Sequence, residues 1–353
     1  MHRDKSTRIV ANWIFVGLAM LIIQVLLGGI TRLTGSGLSI TEWKPIMGAM
    51  PPMSEAEWQA AFNKYQQIAQ YKFLNTHFTL SNFKFIFFWE WFHRLWARFI
   101  GVVFLIPFIY FLVKKYFKSW MVIPLVILFL LGALQGAIGW IMVQSGLNDN
   151  DLYVSHIRLA IHFMAAMILI SYALIFGLKL SLQPGQRIAQ TELLKGAIVI
   201  TALIFIQLVF GAFMAGLKAA ATAPTWPDIN GMIVPKGIFS NGAIVHNIFY
   251  SKIAVHFVHR TLAYLIALFV LIWWFAAKSI SYSSAFNKAK NLALFFVITQ
   301  VTLGIFTVLS SPEMVAGKFG IFEWLAEMHQ LTGMLLLLSM VAVVYILGKN
   351  RVS

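Results

Sequence analysis

The sequence contains no cysteine. Disulfide bonds, thiolate ligands to haem iron and cysteine-held iron–sulfur clusters are therefore excluded. Charged residues are also scarce, at 11% of the chain, whereas hydrophobic residues make up 60%. Soluble domains carry about 25% charged residues, so this composition predicts a protein that lies in a membrane.

Long apolar runs are what the sequence does contain. A helix crosses a bilayer with about 20 apolar residues, and eight runs come close to or exceed that length, at about 9–28, 95–113, 120–143, 157–178, 195–216, 257–277, 291–310 and 328–347. They predict an all-α polytopic membrane protein with eight transmembrane helices. The first run is too long for a cleaved signal peptide and no small-residue cleavage site follows it, so we expect an anchor.

The net charge of +15 is compatible with a nucleic-acid partner, but the positions of the charges argue against one. Fourteen of the 27 Lys and Arg residues lie in the two termini and in every second connection between runs, and ten of the 12 acidic residues lie on the other side. Cytoplasmic loops carry such an excess of Lys and Arg. The pattern predicts cytoplasmic termini, contact of the basic loops with anionic membrane lipid, and no nucleic-acid partner.

The two halves of the chain repeat each other. At an offset of 183 residues Gln24 matches Gln207 and Gly28 matches Gly211. After a deletion the offset becomes 165 to 167, and the matches are His93 with His259, Arg94 with Arg260, Gln135 with Gln300, Gly139 with Gly304 and His162 with His329. We expect two pseudo-symmetric four-helix bundles, formed by residues 1–180 and 181–353. Each odd-numbered run carries Gln-x-x-x-Gly, which we interpret as a helix-packing motif.

Four histidines near the starts of the even-numbered runs are the candidate ligands. A histidine inside a membrane span is costly and is by default a functional residue. The four are His93, His162, His259 and His329, and each is followed four positions later by a small residue, namely Ala97, Ala166, Ala263 and Gly333. A small residue at i+4 leaves space next to the imidazole. Facing imidazoles with flat clearance suit a porphyrin with two axial ligands, so we predict two haem sites, one for His93 with His162 and one for His259 with His329.

Other interpretations of these histidines stay open. They could bond across helices or reach the membrane interface, whereas zinc would require a third or fourth ligand that the sequence does not offer. His156 and His256 are rival ligands close to His162 and His259, but His156 has no counterpart in the second half. The remaining histidines resemble ordinary polar residues of the tail and loops: His2, His77 and His246.

Charged residues accompany two of the histidines. Arg94 and Arg260 directly follow His93 and His259, and Arg98 lies one turn after Arg94. Their guanidinium groups could hold haem propionates or contact lipid headgroups. Both uses are compatible with their positions.

Glu90 distinguishes the first half from the second, where His256 occupies the matching position. A carboxylate one turn from an axial ligand could act as a general base or stabilise a developing cation. It could equally well form only an i,i+4 pair with Arg94. The two halves can therefore share haem ligation and differ in chemistry.

The loop after the first run carries the most specific motifs. It spans roughly residues 29–82, and loops of this length are usually functional. Its motifs are Gly29-Ile-Thr-Arg-Leu-Thr-Gly-Ser-Gly-Leu-Ser39 and Glu42-Trp-Lys-Pro45, and the next run opens with Trp89-Glu-Trp-Phe-His-Arg94. The loop turns helical and polar around residues 54–75. In these motifs, and over almost its whole length, the chain resembles the haem A synthase family in its proteobacterial and mitochondrial form.

The resemblance implies a function. Members of that family oxidise a ring methyl of haem O to a formyl group, which gives haem A for cytochrome c oxidase. By resemblance, His93 and His162 would bracket the substrate haem, with Glu90 as the essential acidic residue. His259 and His329 would hold a haem b that passes electrons. We expect this chain to lie in the bacterial inner membrane, and the resemblance implies that it self-associates and cooperates with haem O synthase. Another branch has a cysteine pair in the first loop, so no redox step here can depend on a disulfide.

Two hypotheses from other classes stay open. A di-haem membrane electron-transfer protein of the quinone oxidoreductase type would use the four histidines equally well, although it needs no long first loop. A transporter built from parallel repeats would place polar residues near the membrane midplane, whereas these histidines cluster near one surface.

Overall fold

The computed structural model of this chain describes residues 5–45, 47–236, 238, 244–280, 283–314 and 319–348. In this part of the chain eleven α-helices follow one another, and eight of them are long and apolar enough to cross a membrane. The eight are α1 (Lys5–Leu33), α4 (Leu80–Val113), α5 (Ser119–Gln144), α6 (His156–Ser181), α7 (Thr191–Gly216), α9 (Lys252–Ala277), α10 (Ser284–Leu309) and α11 (Ile321–Leu347). The shorter ones are α2 (Glu55–Tyr65), α3 (Ala69–Leu74) and α8 (Ile244–Tyr250). The predicted all-α membrane protein with eight transmembrane helices is confirmed, whereas pseudo-symmetry between two bundles stays a prediction.

Helix α4 begins much earlier than predicted. Its first residue is Leu80 rather than residue 95. With about 3.6 residues per turn, His93 lies in the fourth turn of the helix and not near its start, where it was expected. Thr79 and Asn82 start the helix, because each side chain accepts a hydrogen bond from the backbone N–H of the other residue. This reciprocal arrangement is a capping box.

Packing against the loop after α1 explains the additional turns of α4. A buried apolar cluster joins this loop to the beginning of α4 and the end of α5, and its members are Leu38, Phe62, Tyr65, Ile68, Phe83, Ile86, Phe87 and Val143. Burial of one such side chain contributes about 1.5–3 kcal/mol. The first turns of α4 are therefore stabilised by the loop. The prediction that residues around 54–75 are helical is confirmed by α2 and α3.

The described residues divide into two compact units. The first unit contains residues 16–169 and Phe319, and the second unit contains the described residues of 1–15, 170–314 and 320–353. The predicted functional halves, residues 1–180 and 181–353, stay a prediction.

Helix α11 is the central element of the second unit. It packs against α10 and α7, and α7 packs in turn against α9. Cations close the ends of two helices: Nζ of the buried Lys290 donates to the carbonyls of Ala277 and Ile280 at the end of α9, and the guanidinium of the half-buried Arg187 donates to the carbonyls of Tyr345 and Gly348 at the end of α11. Cations are favourable at helix C-termini. The four long helices of this unit are thereby held as one bundle.

Candidate functional site

Each of the four predicted histidines lies against a glycine of the preceding membrane helix. A β-carbon added at the glycine would approach Cε1 of the imidazole to 3.1 Å for Gly28 and His93, 3.1 Å for Gly139 and His162, 3.5 Å for Gly211 and His259, and 2.9 Å for Gly304 and His329. Ordinary contacts of a β-carbon begin at 3.4 Å. A side chain at Gly28, Gly139 or Gly304 would therefore press on the imidazole of the next membrane helix.

The glutamine of the same motif also reaches the imidazole. The amide nitrogen lies 3.2 Å from Nε2 of the histidine for Gln24 and His93, 3.4 Å for Gln207 and His259, and 3.3 Å for Gln300 and His329. These contacts agree with the interpretation of Gln-x-x-x-Gly as a helix-packing motif, because each glycine allows close approach of the next membrane helix and three of the four glutamines reach across to its histidine. The order of motifs and histidines along the chain was visible in the sequence, but the contact between them was not.

Gly333, the small residue four positions after His329, lies close to a side chain of the neighbouring helix. A β-carbon at Gly333 would approach the amide nitrogen of Gln300 to 3.0 Å. Gly333 therefore makes room for Gln300, and the clearance for a flat ring beside each histidine stays a prediction. The glycine that contacts this imidazole lies on the neighbouring helix α10.

The two histidines of the second unit have the spacing of axial ligands. The ring centroids of His259 and His329 lie 6.3 Å apart, and the ring planes make an angle of 76°. A metal–imidazole nitrogen bond is about 2 Å long, so two rings on opposite sides of one metal ion have centroids roughly 6 Å apart. The residues therefore fit a single iron atom between the two rings.

Buried polar atoms without a hydrogen-bond partner lie at the candidate ligands of both units. In the described part of the chain, Nδ1 of His162 and Nδ1 of His259 are buried without a hydrogen-bond partner. The amide oxygens of the four motif glutamines share this property, at Gln24, Gln135, Gln207 and Gln300. Leaving a buried polar group unpaired is costly. In the first unit His93 and His162 are close enough to interact electrostatically, so each unit has one pair of half-buried imidazoles with unpaired polar atoms beside it.

A zinc-type site is not supported. Among the described residues, no group of three or more His, Asp or Glu side chains could hold a metal ion. Zinc needs three or four protein ligands, whereas a haem iron takes its four equatorial ligands from the porphyrin and needs only axial ones from the protein. Paired histidines without further ligands suit the haem.

The other histidines lie outside the two pairs. His256 is fully buried in α9 and takes the place that Glu90 has in the first unit. Three more lie away from the pairs: His246 stacks on Tyr250 in α8, His77 packs edge-on against Phe78, and His156 is the first residue of α6. His2 falls outside the described residues.

Glu90 is buried and connects α4 to the loop after α1. One carboxylate oxygen, Oε2, accepts hydrogen bonds from the hydroxyl of Ser39 at 2.7 Å and from the backbone N–H of Ile40 at 2.8 Å. The other, Oε1, pairs with Nη2 of Arg94 at 2.5 Å. The pair with Arg94 is therefore present, and the two donors from the loop are an addition that the sequence did not predict.

The arginines of the first unit hold loop backbone. Arg94 donates to the carbonyls of Ile40 and Glu42 at 3.2 Å each, and Arg98 donates to those of Lys44 and Pro45 at 3.0 and 2.6 Å. Irregular backbone beside a membrane helix needs such partners, because lipid offers none. Nη1 of Arg98 is buried and has no partner in the described part of the chain, so this nitrogen is available to an anionic ligand.

Arg260 plays the same part in the second unit. Its two terminal nitrogens donate to the carbonyls of Asp228 at 2.7 Å and Ala223 at 2.9 Å. The Asp228 carboxylate accepts from the N–H of Gly231 and the hydroxyl of Thr225, and these donors hold the pKa of Asp228 below its usual range. The loop before α8 is therefore tied to α9.

Two tryptophans in matching positions of the repeat also fasten these loops. Trp43 stacks on Trp140 of α5 with ring centroids 5.7 Å apart, and the indole N–H of Trp226 donates to the hydroxyl of Tyr264 in α9 at 3.0 Å. The guanidinium carbon of Arg94 lies 5.8 Å from the ring of Trp140. The sequence repeat contained the tryptophan pair, but their partners lie on distant helices and were not predicted.

Known proteins resemble the chain over most of its length. Residues 11–341 match the family described as cytochrome oxidase assembly protein. The haem A synthase of Parvibaculum lavamentivorans is 42% identical across 93% of this chain and 96% of the relative. The haem A synthase of Flavobacterium johnsoniae is 37% identical across 98% and 99%, and that of Rhodospirillum centenum is 44% identical across 86% and 82%.

Proposed function

This chain belongs to the cytochrome oxidase assembly protein family, which includes curated haem A synthases, and on this basis we propose its function. The chain is a haem-modifying membrane enzyme, a haem A synthase. It oxidises a methyl group of haem O to a formyl group and so supplies haem A for cytochrome c oxidase.

The pair of imidazoles in the second unit carries the proposal from the structure. Two half-buried rings with centroids 6.3 Å apart suit a bis-histidine haem, and the glycine contacts recur at all four histidines. We assign His259 and His329 to a haem b, which supplies one-electron transfer when bound. We assign His93 and His162 to the substrate haem. The corresponding functional halves are residues 1–180 and 181–353.

The assignment of the substrate to the first half rests on Glu90. Only this half has a carboxylate one turn before an axial ligand, because His256 takes that position in the second half. Conversion of a methyl to a formyl group with water as the source of oxygen would release four protons and four electrons, and an external electron acceptor would take up the electrons. The Glu90 carboxylate would accept a proton from the reacting methyl or the incoming water, or stabilise positive charge that develops there. Ser39, Ile40 and Arg94 hold both of its oxygens in place.

The arginines would serve the haem propionates in addition to the loops. Arg98 has a buried nitrogen that lacks a partner among the described residues, and guanidinium groups bind carboxylates well. Arg94 and Arg260 would contribute charge from their positions next to His93 and His259, while their terminal nitrogens bond loop carbonyls.

The location and the partners of the enzyme are proposed from the distribution of its charged residues and from its family. The excess of Lys and Arg in alternate connections supports a multi-pass protein of the bacterial inner membrane with both termini in the cytoplasm. Membrane lipid, haem O synthase and further copies of this chain are the proposed partners. A di-haem quinone oxidoreductase would share the four histidines, but the curated relatives described above are haem A synthases.

Glu90→Gln tests the catalytic assignment. The amide oxygen still accepts from Ser39 and Ile40, but the charge is lost, and general acid–base groups contribute about 100-fold or more to a rate. We expect both haems to remain bound and haem A formation to fall by about that factor, measured by haem extraction from membranes that also contain haem O synthase.

Glu323→Gln is the matched control, since Glu323 is another buried carboxylate that accepts a backbone N–H at a helix start. It should leave haem A formation within a few-fold of the wild type. A Glu90→Gln enzyme that forms haem A at the wild-type rate would refute the role of Glu90, and extraction of protohaem alone from the wild type would favour the di-haem alternative.

A further inference from the structure

The Gln-x-x-x-Gly motifs of α1, α5, α7 and α10 each pair with one histidine, although neither motif residue is an iron ligand in the proposed function. We infer that the motif residues Gln300 and Gly304 are positioning residues that set the rotation of the axial imidazole of His329 about its iron–nitrogen bond. The inference rests on the proposed function, because it requires a haem between His259 and His329. The second unit provides the contacts that distinguish the two rings.

The ring of His329 is held on several sides. Nδ1 lies 3.1 Å from the backbone carbonyl of Gln300. A carbonyl can only accept, so Nδ1 carries the proton and Nε2 retains the lone pair that iron needs. The amide nitrogen of Gln300 lies 3.3 Å from Nε2, and Gly333 leaves the space that this amide fills. On α10, Gly304 is so close to Cε1 that a β-carbon would stand at 2.9 Å.

The ring of His259 is held less closely. The amide of Gln207 donates to the backbone carbonyl of His259 at 3.0 Å and lies 3.4 Å from its Nε2. A β-carbon at Gly211 would stand 3.5 Å from Cε1, which is an ordinary contact. The methyl group introduced by Gly→Ala would therefore collide with His329 at Gly304, but would make an ordinary contact with His259 at Gly211.

The angle between the two rings has a spectroscopic consequence. The planes of His259 and His329 make an angle of 76°. When the planes of the two axial imidazoles are nearly perpendicular, the two iron d orbitals that interact with them are almost equal in energy. When the planes are parallel, the energies of these two orbitals differ. The electron paramagnetic resonance spectrum of the ferric low-spin haem reports this difference through its largest g value. Neighbouring groups that orient ligands are a recognised means of tuning a metal site.

The test compares Gly304→Ala with Gly211→Ala in the full chain purified with its haem. Alanine is favourable in helices, so neither change should disturb α7 or α10. We expect the wild type and Gly211→Ala to share one strongly anisotropic low-spin signal, and Gly304→Ala to show a shifted largest g value or loss of the signal. Size-exclusion chromatography checks that each variant is folded.

A second variant covers the case in which Gly304→Ala does not fold. Gln300→Leu removes the amide beside Nε2 but keeps the backbone carbonyl that binds Nδ1. It should retain haem and shift the largest g value.

The failure of this inference is distinguishable from failure of the proposed function. Wild-type spectra in both Gly304→Ala and Gln300→Leu, with haem bound, would overturn the positioning role and leave haem ligation intact. A wild-type protein without any low-spin haem signal in the second half, or one whose signal survives His329→Ala unchanged, would overturn the proposed ligation itself.

Discussion

Arg260 shows how one side chain fastens a loop to a membrane helix. It is only 8% exposed, and both terminal nitrogens donate to carbonyls of the loop, at Asp228 and Ala223. The planar fork of arginine can reach two acceptors at once, whereas a lysine ammonium is a single point charge. Hydrogen bonds that involve a charged group contribute about 1.5–3 kcal/mol each.

Arg260→Lys should therefore destabilise the loop although the charge is kept. Loss of one of the two bonds is expected to cost about 1.5–3 kcal/mol, seen as a lower thermal midpoint and faster proteolytic cleavage within residues 219–236. Arg158→Lys is the control, since the exposed Arg158 makes one bond to the carbonyl of Ile141. Equal cleavage rates in wild type and Arg260→Lys would contradict the proposed fastening of the loop.

At the scale of elements, the C-terminal end of α9 depends on a cation from α10. Nζ of Lys290 is 2.8 Å from the carbonyl of Ala277 and 3.0 Å from that of Ile280, and the side chain is buried. The last carbonyls of a helix lack partners within the helix. Lys290 supplies them and also neutralises the negative end of the helix dipole.

Lys290→Met should lower stability by about 1.5–3 kcal/mol, because the carbonyls lose a charged donor in a buried place. Thermal unfolding of the second unit, followed by loss of haem absorption, is the measurement. Lys288→Met removes the same charge from an exposed position on the same helix, and we expect a change of less than about 1 kcal/mol. If both variants unfold at the same temperature, Lys290 does not cap α9.

Helix α4 illustrates which part of an element the sequence does not reveal. Its membrane-spanning part was predicted from hydropathy, because an apolar run of that length has few alternatives. Its start at Leu80 was missed because the stability of those turns comes from Phe62 and Tyr65, which are distant in sequence and contact Phe83 and Phe87 only in the folded loop.

At the scale of the whole molecule, composition and periodic signals predicted most of the architecture. The eight spans follow from hydropathy, and the four histidines follow from their cost inside a membrane. The duplication also linked Gln207 and Gly211 to Gln24 and Gly28, but no single sequence shows that a glycine on one helix will contact an imidazole on the next. The acceptors of Arg94 and Arg260 were missed for the same reason, since they are backbone carbonyls in irregular loops.

The central claim is that paired imidazoles hold the haems, and the most direct test is the haem content and absorption spectrum of single histidine variants. His259→Ala and His329→Ala should each lose the low-spin haem of the second half and keep the pigment of the first half. His246→Ala, which changes an exposed histidine of α8, should retain both. A wild-type haem content and spectrum in either His259→Ala or His329→Ala would contradict the account.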